Sequence, residues 1–121
     1  MREFLLVAVG GALGASGRYG VSLLALRQWG SNPVWATLFV NVIGGFAMGL
    51  LAGFAADKRA LVLLLGVGVL GGFTTFSAFS IEIVRMIDRG ATTLAASYAL
   101  GSVLLSIGAA FSGLMITRSF P

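Results

Sequence analysis

Few residues in this chain of 121 could do chemistry, and those that could are amides, hydroxyls and aromatic rings. The sequence has no histidine and no cysteine, which excludes disulfide frameworks, the usual zinc sites and the usual general base. No set of residues supports covalent or acid–base catalysis, so we expect that the protein is not an enzyme. The polar groups that remain are suited to binding.

The main cluster of such groups is the stretch GGFTTFSAFS, residues 71–80. Adjacent glycines weaken a helix, and Thr74 and Thr75 can compete for its backbone hydrogen bonds. Freed carbonyls need a partner, for which a cation is one candidate. Phe76 and Phe79 share a helix face, and their electropositive ring edges could favour a small anion. The alternative is a plain glycine kink whose phenylalanines pack into lipid or core.

Asn41, in the stretch FVNVIGGF, lies in the middle of another apolar segment. Its amide offers two donors and one acceptor. Gly45, Gly49 and Gly53 follow at four-residue intervals, and Thr37 lies one turn earlier on the same face. Such a surface of small residues favours close helix packing in lipid. Asn41 is therefore either an interhelical hydrogen-bonding residue or a donor directed at a passing anion.

Arg18, in the stretch GASGRYG, is the one charge well inside an apolar segment. Gly10, Gly14 and Gly17 precede it at helical spacing, which predicts a close helix contact beside it. Its side chain either extends to the lipid headgroups or places a positive charge at the mouth of an anion pathway.

A line of hydroxyls and one carboxylate complete the set. Tyr98, Ser102 and Ser106 are spaced i, i+4, i+8 and predict a polar track on one helix face, although serines also bond to their own helix backbone. Glu82 follows the phenylalanine motif and could be an interfacial residue that interacts with Arg85 at i+3.

Membrane helices must position these residues. The chain is 58% hydrophobic and 10% charged, and its 18 glycines favour helices that pack closely in lipid. A helix needs about 20 apolar residues to cross the hydrocarbon core. We predict an all-α membrane protein with a single membrane domain, residues 1–121, whose third helix is broken at Gly71–Thr75. Charges and prolines delimit four spans, at about 4–26, 33–56, 60–83 and 91–117.

The basic residues of the connections are almost balanced between the two sides of the membrane. One side has four, Arg2, Lys58, Arg59 and Arg118, and the other has three, Arg27, Arg85 and Arg89. Because an excess of Lys and Arg orients a membrane protein, this balance is compatible with one weakly biased orientation or with insertion both ways. A chain of 12.5 kDa is also too small to enclose a pathway comfortably, which favours an oligomer. The basic residues are scattered, so we expect no nucleic-acid partner.

Taken together, these motifs resemble the fluoride-channel family called Fluc or CrcB. The resemblance covers nearly the whole chain and rests on GGFTTFSAFS, FVNVIGGF, GASGRYG and the line of Tyr98, Ser102 and Ser106, in matching order. It implies a multi-pass protein of a prokaryotic cell membrane that exports toxic fluoride passively. It also implies an antiparallel, dual-topology homodimer with two pores and a structural sodium ion at its centre, and the near balance of basic residues then fits dual topology.

The resemblance also implies site residues. It assigns sodium to the backbone carbonyls of Gly71 and Thr74. The implied fluoride pathway comprises Arg18, Asn41, Thr75, Phe76, Ser77, Phe79, Glu82, Tyr98, Ser102 and Ser106. Ala78 departs from the family, in which threonine is common at this position, so one hydroxyl is missing here.

Two alternative functions come from other classes. Small multidrug-efflux transporters also have four spans and often form antiparallel dimers, but they use a buried glutamate in the first helix, where this chain has Arg18. A non-transporting membrane assembly subunit would explain the glycine surfaces. It would not explain why Asn41, Phe76 and Phe79 match the channel pattern.

Overall fold

In the computed structural model, which describes residues 1–30 and 32–120, the chain forms four helical spans. The helices are α1 (Arg2–Trp29), α2 (Val34–Phe54), α3 (Arg59–Leu61), a π-helical segment (Val62–Leu70), α4 (Gly71–Phe73), α5 (Phe76–Asp88) and α6 (Thr92–Arg118). The third span, Arg59–Asp88, consists of the elements from α3 to α5. All four spans are long and apolar enough to cross a membrane, as predicted.

Short turns join the spans. The Asn32 carboxamide oxygen accepts a hydrogen bond from the Val34 amide, 3.2 Å away, at the start of α2. Pro33 directly precedes the first residue of α2 and already has helical backbone angles, with φ of −70° and ψ of −16°. Gly90, with φ of 76°, makes the turn before α6, where glycine is favoured because it lacks a Cβ.

The first half of the third span packs backbone to backbone against α1. A Cβ on Gly10 would collide with the Leu64 carbonyl, and one on Gly14 with the Val69 carbonyl. Gly68 of the third span is equally close to α1, since a Cβ there would lie 2.8 Å from the Gly10 Cα. The predicted close contact near Arg18 is therefore present, and its partner is the third span.

The glycine face of α2 packs in the same way against α6. A Cβ on Gly45 would lie 2.8 Å from the Ser106 carbonyl oxygen, and one on Gly49 would collide with the Ala110 carbonyl. From the other side, a Cβ on Gly113 would collide with the Phe46 carbonyl. This contact sets the distance between Asn41 at one end of the glycine face and the hydroxyls of α6.

The third span is broken at Thr74 and Thr75, which have extended backbone with ψ of 158° and 121°. The break thus falls within the predicted residues, at the two threonines that were expected to compete for the backbone hydrogen bonds of the helix. Gly71 and Gly72 are helical, and Gly72 is needed for packing, since a Cβ there would lie 2.6 Å from the Gly11 carbonyl oxygen. The threonines make the break because their side chains satisfy backbone groups outside a helix.

Candidate functional site

The Asn41 side chain joins α2 to the break in the third span. Its Nδ2 donates to the Thr75 carbonyl oxygen at 2.9 Å, and its Oδ1 accepts from the Thr75 amide at 2.8 Å. The amide thus pairs with both backbone groups of one residue, as a peptide unit in a neighbouring strand would. The interhelical hydrogen bond that was one of the two interpretations of Asn41 is present.

The two hydrogen bonds that hold the break also deprive two carbonyls of their helical donors. In an unbroken helix, the Gly71 carbonyl would accept from the Thr75 amide, which donates to Asn41 instead. The Thr74 carbonyl would accept from the Ala78 amide, which donates at 3.2 Å to the Thr75 hydroxyl that caps α5. These are the two carbonyls to which the family resemblance assigns sodium, and that assignment stays a prediction.

Arg18 is bound to the same break from the other side. Its Nε donates to the Gly72 carbonyl oxygen at 3.1 Å, in a half-buried position. The contact explains how a charged side chain is accommodated within the first span, because the guanidinium group gains an acceptor in a part-buried carbonyl that the break has freed. This contact was not among the expected positions of Arg18, and its place at the mouth of a pathway stays a prediction.

A cavity of about 400 Å³ lies between α2, α5 and α6, directly beside the break, and is open on the surface of the single chain. We call it the central cavity because it lies at the middle of the spans. Of the residues singled out in the sequence, it is lined by Asn41, Thr74, Thr75, Phe76, Phe79, Ser102 and Ser106. Among the residues that the structure describes, none of the side chains that line this cavity carries a charge. Six of the ten predicted pathway residues are therefore brought together around one neutral space.

Ser102 is the unusual member of this lining. Its side chain is buried, and its hydroxyl has no hydrogen-bond partner within residues 1–30 and 32–120. An unsatisfied buried hydroxyl costs free energy, and a bound water or ion is one partner that could satisfy it. Ser106 lies one turn further along the same wall.

Aromatic rings form another part of the cavity wall. The Phe76 and Phe79 rings lie 5.5 Å apart at a tilt of 48°, and the Phe79 and Tyr98 rings lie 5.4 Å apart at 57°. Tilted pairs at this spacing are a favoured aromatic arrangement, and the edge of each ring carries the positive part of its quadrupole. Phe79 is buried, whereas Phe76 is 77% exposed on the surface of the single chain.

Beyond Phe79, a buried carboxylate closes this end of the cavity. Glu82 is 5% exposed, and its two oxygens accept hydrogen bonds of 2.7 Å from the hydroxyls of Thr37 and Tyr98. The expected interaction with Arg85 is wrong, because Glu82 points into the helix bundle toward α2 and α6. Thr37 was missed as a site residue, although its place one turn before Asn41 was visible in the sequence.

One remaining predicted residue lies outside this arrangement. Ser77 is exposed, and its hydroxyl lies 3.3 Å from the Thr75 hydroxyl without lining the central cavity. Of the hydroxyl line on α6, Tyr98 binds Glu82, and the two serines line the cavity.

The wall of the central cavity therefore offers neutral donors and ring edges, which can bind a small anion weakly.

Comparisons with known proteins agree on one family. The family described as "CrcB-like protein, Camphor Resistance (CrcB)" matches residues 5–114. A protein of Caulobacter sp. (strain K31) is 50% identical to this chain, over 98% of this chain and 96% of its own length. A protein of Hyphomonas neptunium is 52% identical, over 98% and 97%, and one of Phenylobacterium zucineum is 49% identical, over 98% and 97%. All three relatives are named "Fluoride-specific ion channel FluC".

Proposed function

The chain belongs to the CrcB family, and on this premise we propose that it is a passive, fluoride-selective ion channel. It would be a multi-pass protein of a prokaryotic membrane and would release fluoride that has accumulated to toxic levels. Its relatives bear the name of fluoride-specific ion channels. The geometry of the central cavity supplies a physical basis for the same function in this chain.

The observation that carries the proposal is the buried, unpartnered hydroxyl of Ser102 in a cavity that has no charged wall. A small anion that loses water there gains hydroxyl donors from α6 and the second amide proton of Asn41. The edges of Phe76 and Phe79 add positive potential without a full charge. Several weak sites permit both binding and release, which conduction requires.

Passage beyond Phe79 involves Glu82. The hydroxyls of Thr37 and Tyr98 both donate to this carboxylate, so they are the next anion donors along the three helices. An anion that moves past this point replaces the Glu82 carboxylate as the acceptor of the hydrogen bonds from those two hydroxyls. Glu82 therefore belongs to the pathway as the group that competes with fluoride.

We further propose that two chains form an antiparallel homodimer. Phe76, a ring of the proposed pathway, is 77% exposed in the single chain, and the central cavity opens beside it. A second copy would cover the ring and complete the wall. The nearly equal numbers of basic residues on the two sides are consistent with opposite orientations of the two copies.

A structural sodium ion at the centre of this dimer is also a proposal, and the break is suited to it. The carbonyls of Gly71 and Thr74 lose their helical donors to Asn41 and the Thr75 hydroxyl, and hard cations prefer oxygen ligands. Sodium would be held by these two carbonyls from each chain. It would supply positive charge that fixes the break, and it would not be conducted.

Fluoride efflux from liposomes tests the proposed channel directly. We expect rapid release of fluoride, exclusion of chloride, and loss of the fluoride current in Phe79→Ile, because an aliphatic side chain has no positive edge. Phe111→Ile is the matched control, since Phe111 is exposed on α6 and does not line the cavity. Folded wild-type protein that releases no fluoride would rule out the channel, and a membrane assembly subunit would behave in that way.

A further inference from the structure

A second cavity lies beyond the Glu82 carboxylate. This outer cavity has a volume of about 510 Å³ and is formed where α2 begins, α5 ends and α6 begins. Its walls include Asn32, Val34, Glu82, Arg85, Arg89 and Leu94. It differs from the central cavity in charge, since two arginines and one carboxylate line it.

The three helices place the two cavities in register. Asn41 on α2, Phe79 on α5 and Ser102 on α6 line the central cavity. One turn from them, on the same three helices, lie Thr37, Glu82 and Tyr98. One further turn in the same direction lie Val34, Arg85 and Leu94, which line the outer cavity. The hydrogen-bonded layer around Glu82 is therefore the single layer that separates the outer cavity from the central one along these helices.

The geometry points to Arg85 and Arg89 as the anion-collecting mouth of the pathway on the Glu82 side. This inference rests on the proposed fluoride channel and adds to it the groups that control how often an anion reaches Glu82. A cavity with walls of low dielectric constant focuses the field of its charges and raises the local concentration of counter-ions. In the lining, two guanidinium groups outnumber the one carboxylate. Asp88 on α5 and Arg27 on α1 carry opposite charges outside the lining, so this end of the chain keeps a positive excess and the mouth attracts anions.

A purely structural role for the arginines makes a different prediction. Arg85 lies in the last turn of α5, where a positive charge interacts favourably with the helix dipole, and both arginines are exposed at the membrane boundary. Their removal would then lower the stability of the protein and leave the fluoride current unaffected. Ionic strength separates the two roles, because the Debye length falls from about 30 Å at 0.01 M to about 3 Å at 1 M.

The test is the fluoride current through wild-type and R85Q/R89Q channels in bilayers of uncharged phosphatidylcholine. At about 0.01 M ionic strength, we expect the current of R85Q/R89Q to be at least about three-fold lower than that of wild type. At about 1 M, we expect the two currents to be nearly equal. R85K/R89K retains the charges and should keep the wild-type current at both ionic strengths. The preference for fluoride over chloride should not change, because the mouth attracts all anions alike.

R27Q is the matched control, since Arg27 is an exposed arginine on the same side that does not line the outer cavity. Equal currents of wild type and R85Q/R89Q at low ionic strength would overturn the inference. So would an equal loss in R27Q or a loss in R85K/R89K. If the double variant does not fold, the fluoride currents of the single variants R85Q and R89Q at the two ionic strengths test the inference in the same way. A wild-type protein without any fluoride current would overturn the proposed function itself.

Discussion

The two halves of the third span, on either side of the break at Thr74 and Thr75, are held by different forces. The half before the break has glycines that let its backbone touch the backbone of α1. The half after the break is held by side-chain hydrogen bonds, from the cap of α5 at Thr75 to the buried Glu82 carboxylate. One half depends on the absence of side chains and the other on their polar groups.

This difference shows how a small membrane protein can separate support from ion binding. Lipid supplies no hydrophobic driving force between helices, so close van der Waals contact at glycines holds the first half in place. Polar groups in the second half cost free energy unless they are paired. They are retained beside the central cavity, where the proposed ion pathway runs. The three predictions below test this division, beginning with the largest expected effect on stability.

Gly14→Ala should have the largest effect, because the added Cβ would collide with the Val69 carbonyl, a backbone group that cannot turn away. We expect a loss of about 3 kcal/mol or more in the free energy of unfolding, or no folded protein at all. The measurement is thermal unfolding in detergent, with the folded fraction from size-exclusion chromatography.

The control is Gly20→Ala in the same helix, where the added Cβ would have no atom within 4 Å. Its stability should stay within about 0.5 kcal/mol of wild type. If both variants were equally stable, the backbone contact between α1 and the third span would be contradicted.

Tyr98→Phe should have an intermediate effect, because it removes one of the two donors to Glu82 and keeps the aromatic ring beside Phe79. A buried acceptor that loses its donor costs about 1–3 kcal/mol, and we expect a loss of stability of that size. Thermal unfolding of Ser112→Ala gives the control. Ser112 is exposed on the same helix, and its hydroxyl donates only to its own backbone at Gly108. Equal stability of the two variants would show that Glu82 does not need the tyrosine hydroxyl.

Ser102→Ala should have the smallest effect on stability, within about 0.5 kcal/mol, because the lost hydroxyl has no partner among the residues that the structure describes. Its effect on function should be larger. A hydrogen bond to an ion is worth about 1.5 kcal/mol, so fluoride efflux from liposomes should fall about ten-fold. A destabilised Ser102→Ala protein would indicate a partner for the hydroxyl within the protein, and unchanged efflux would remove Ser102 from the pathway.

Much of the fold could be predicted from the sequence because its signals are local. Apolar stretches of sufficient length, limited by charges and prolines, predicted the four spans that the structure contains. Glycines at four-residue spacing predicted helix faces for close packing, and α2 and α6 meet on such a face. The break was predicted from a local cluster of two glycines and two threonines, and the structure places it at the threonines, with both glycines still helical.

The pairing of side chains was decided only by the tertiary structure. Glu82 binds Thr37, which is 45 residues away, and Asn41 binds Thr75, which is 34 residues away. Local spacing predicted Arg85 as the partner of Glu82, because i+3 neighbours meet on a free helix. In the folded chain, burial turns Glu82 toward donors on two other helices. The sequence by itself determined which polar groups lie at membrane depth. Packing determined which of them satisfy one another and which, like Ser102, have no partner among the residues that the structure describes.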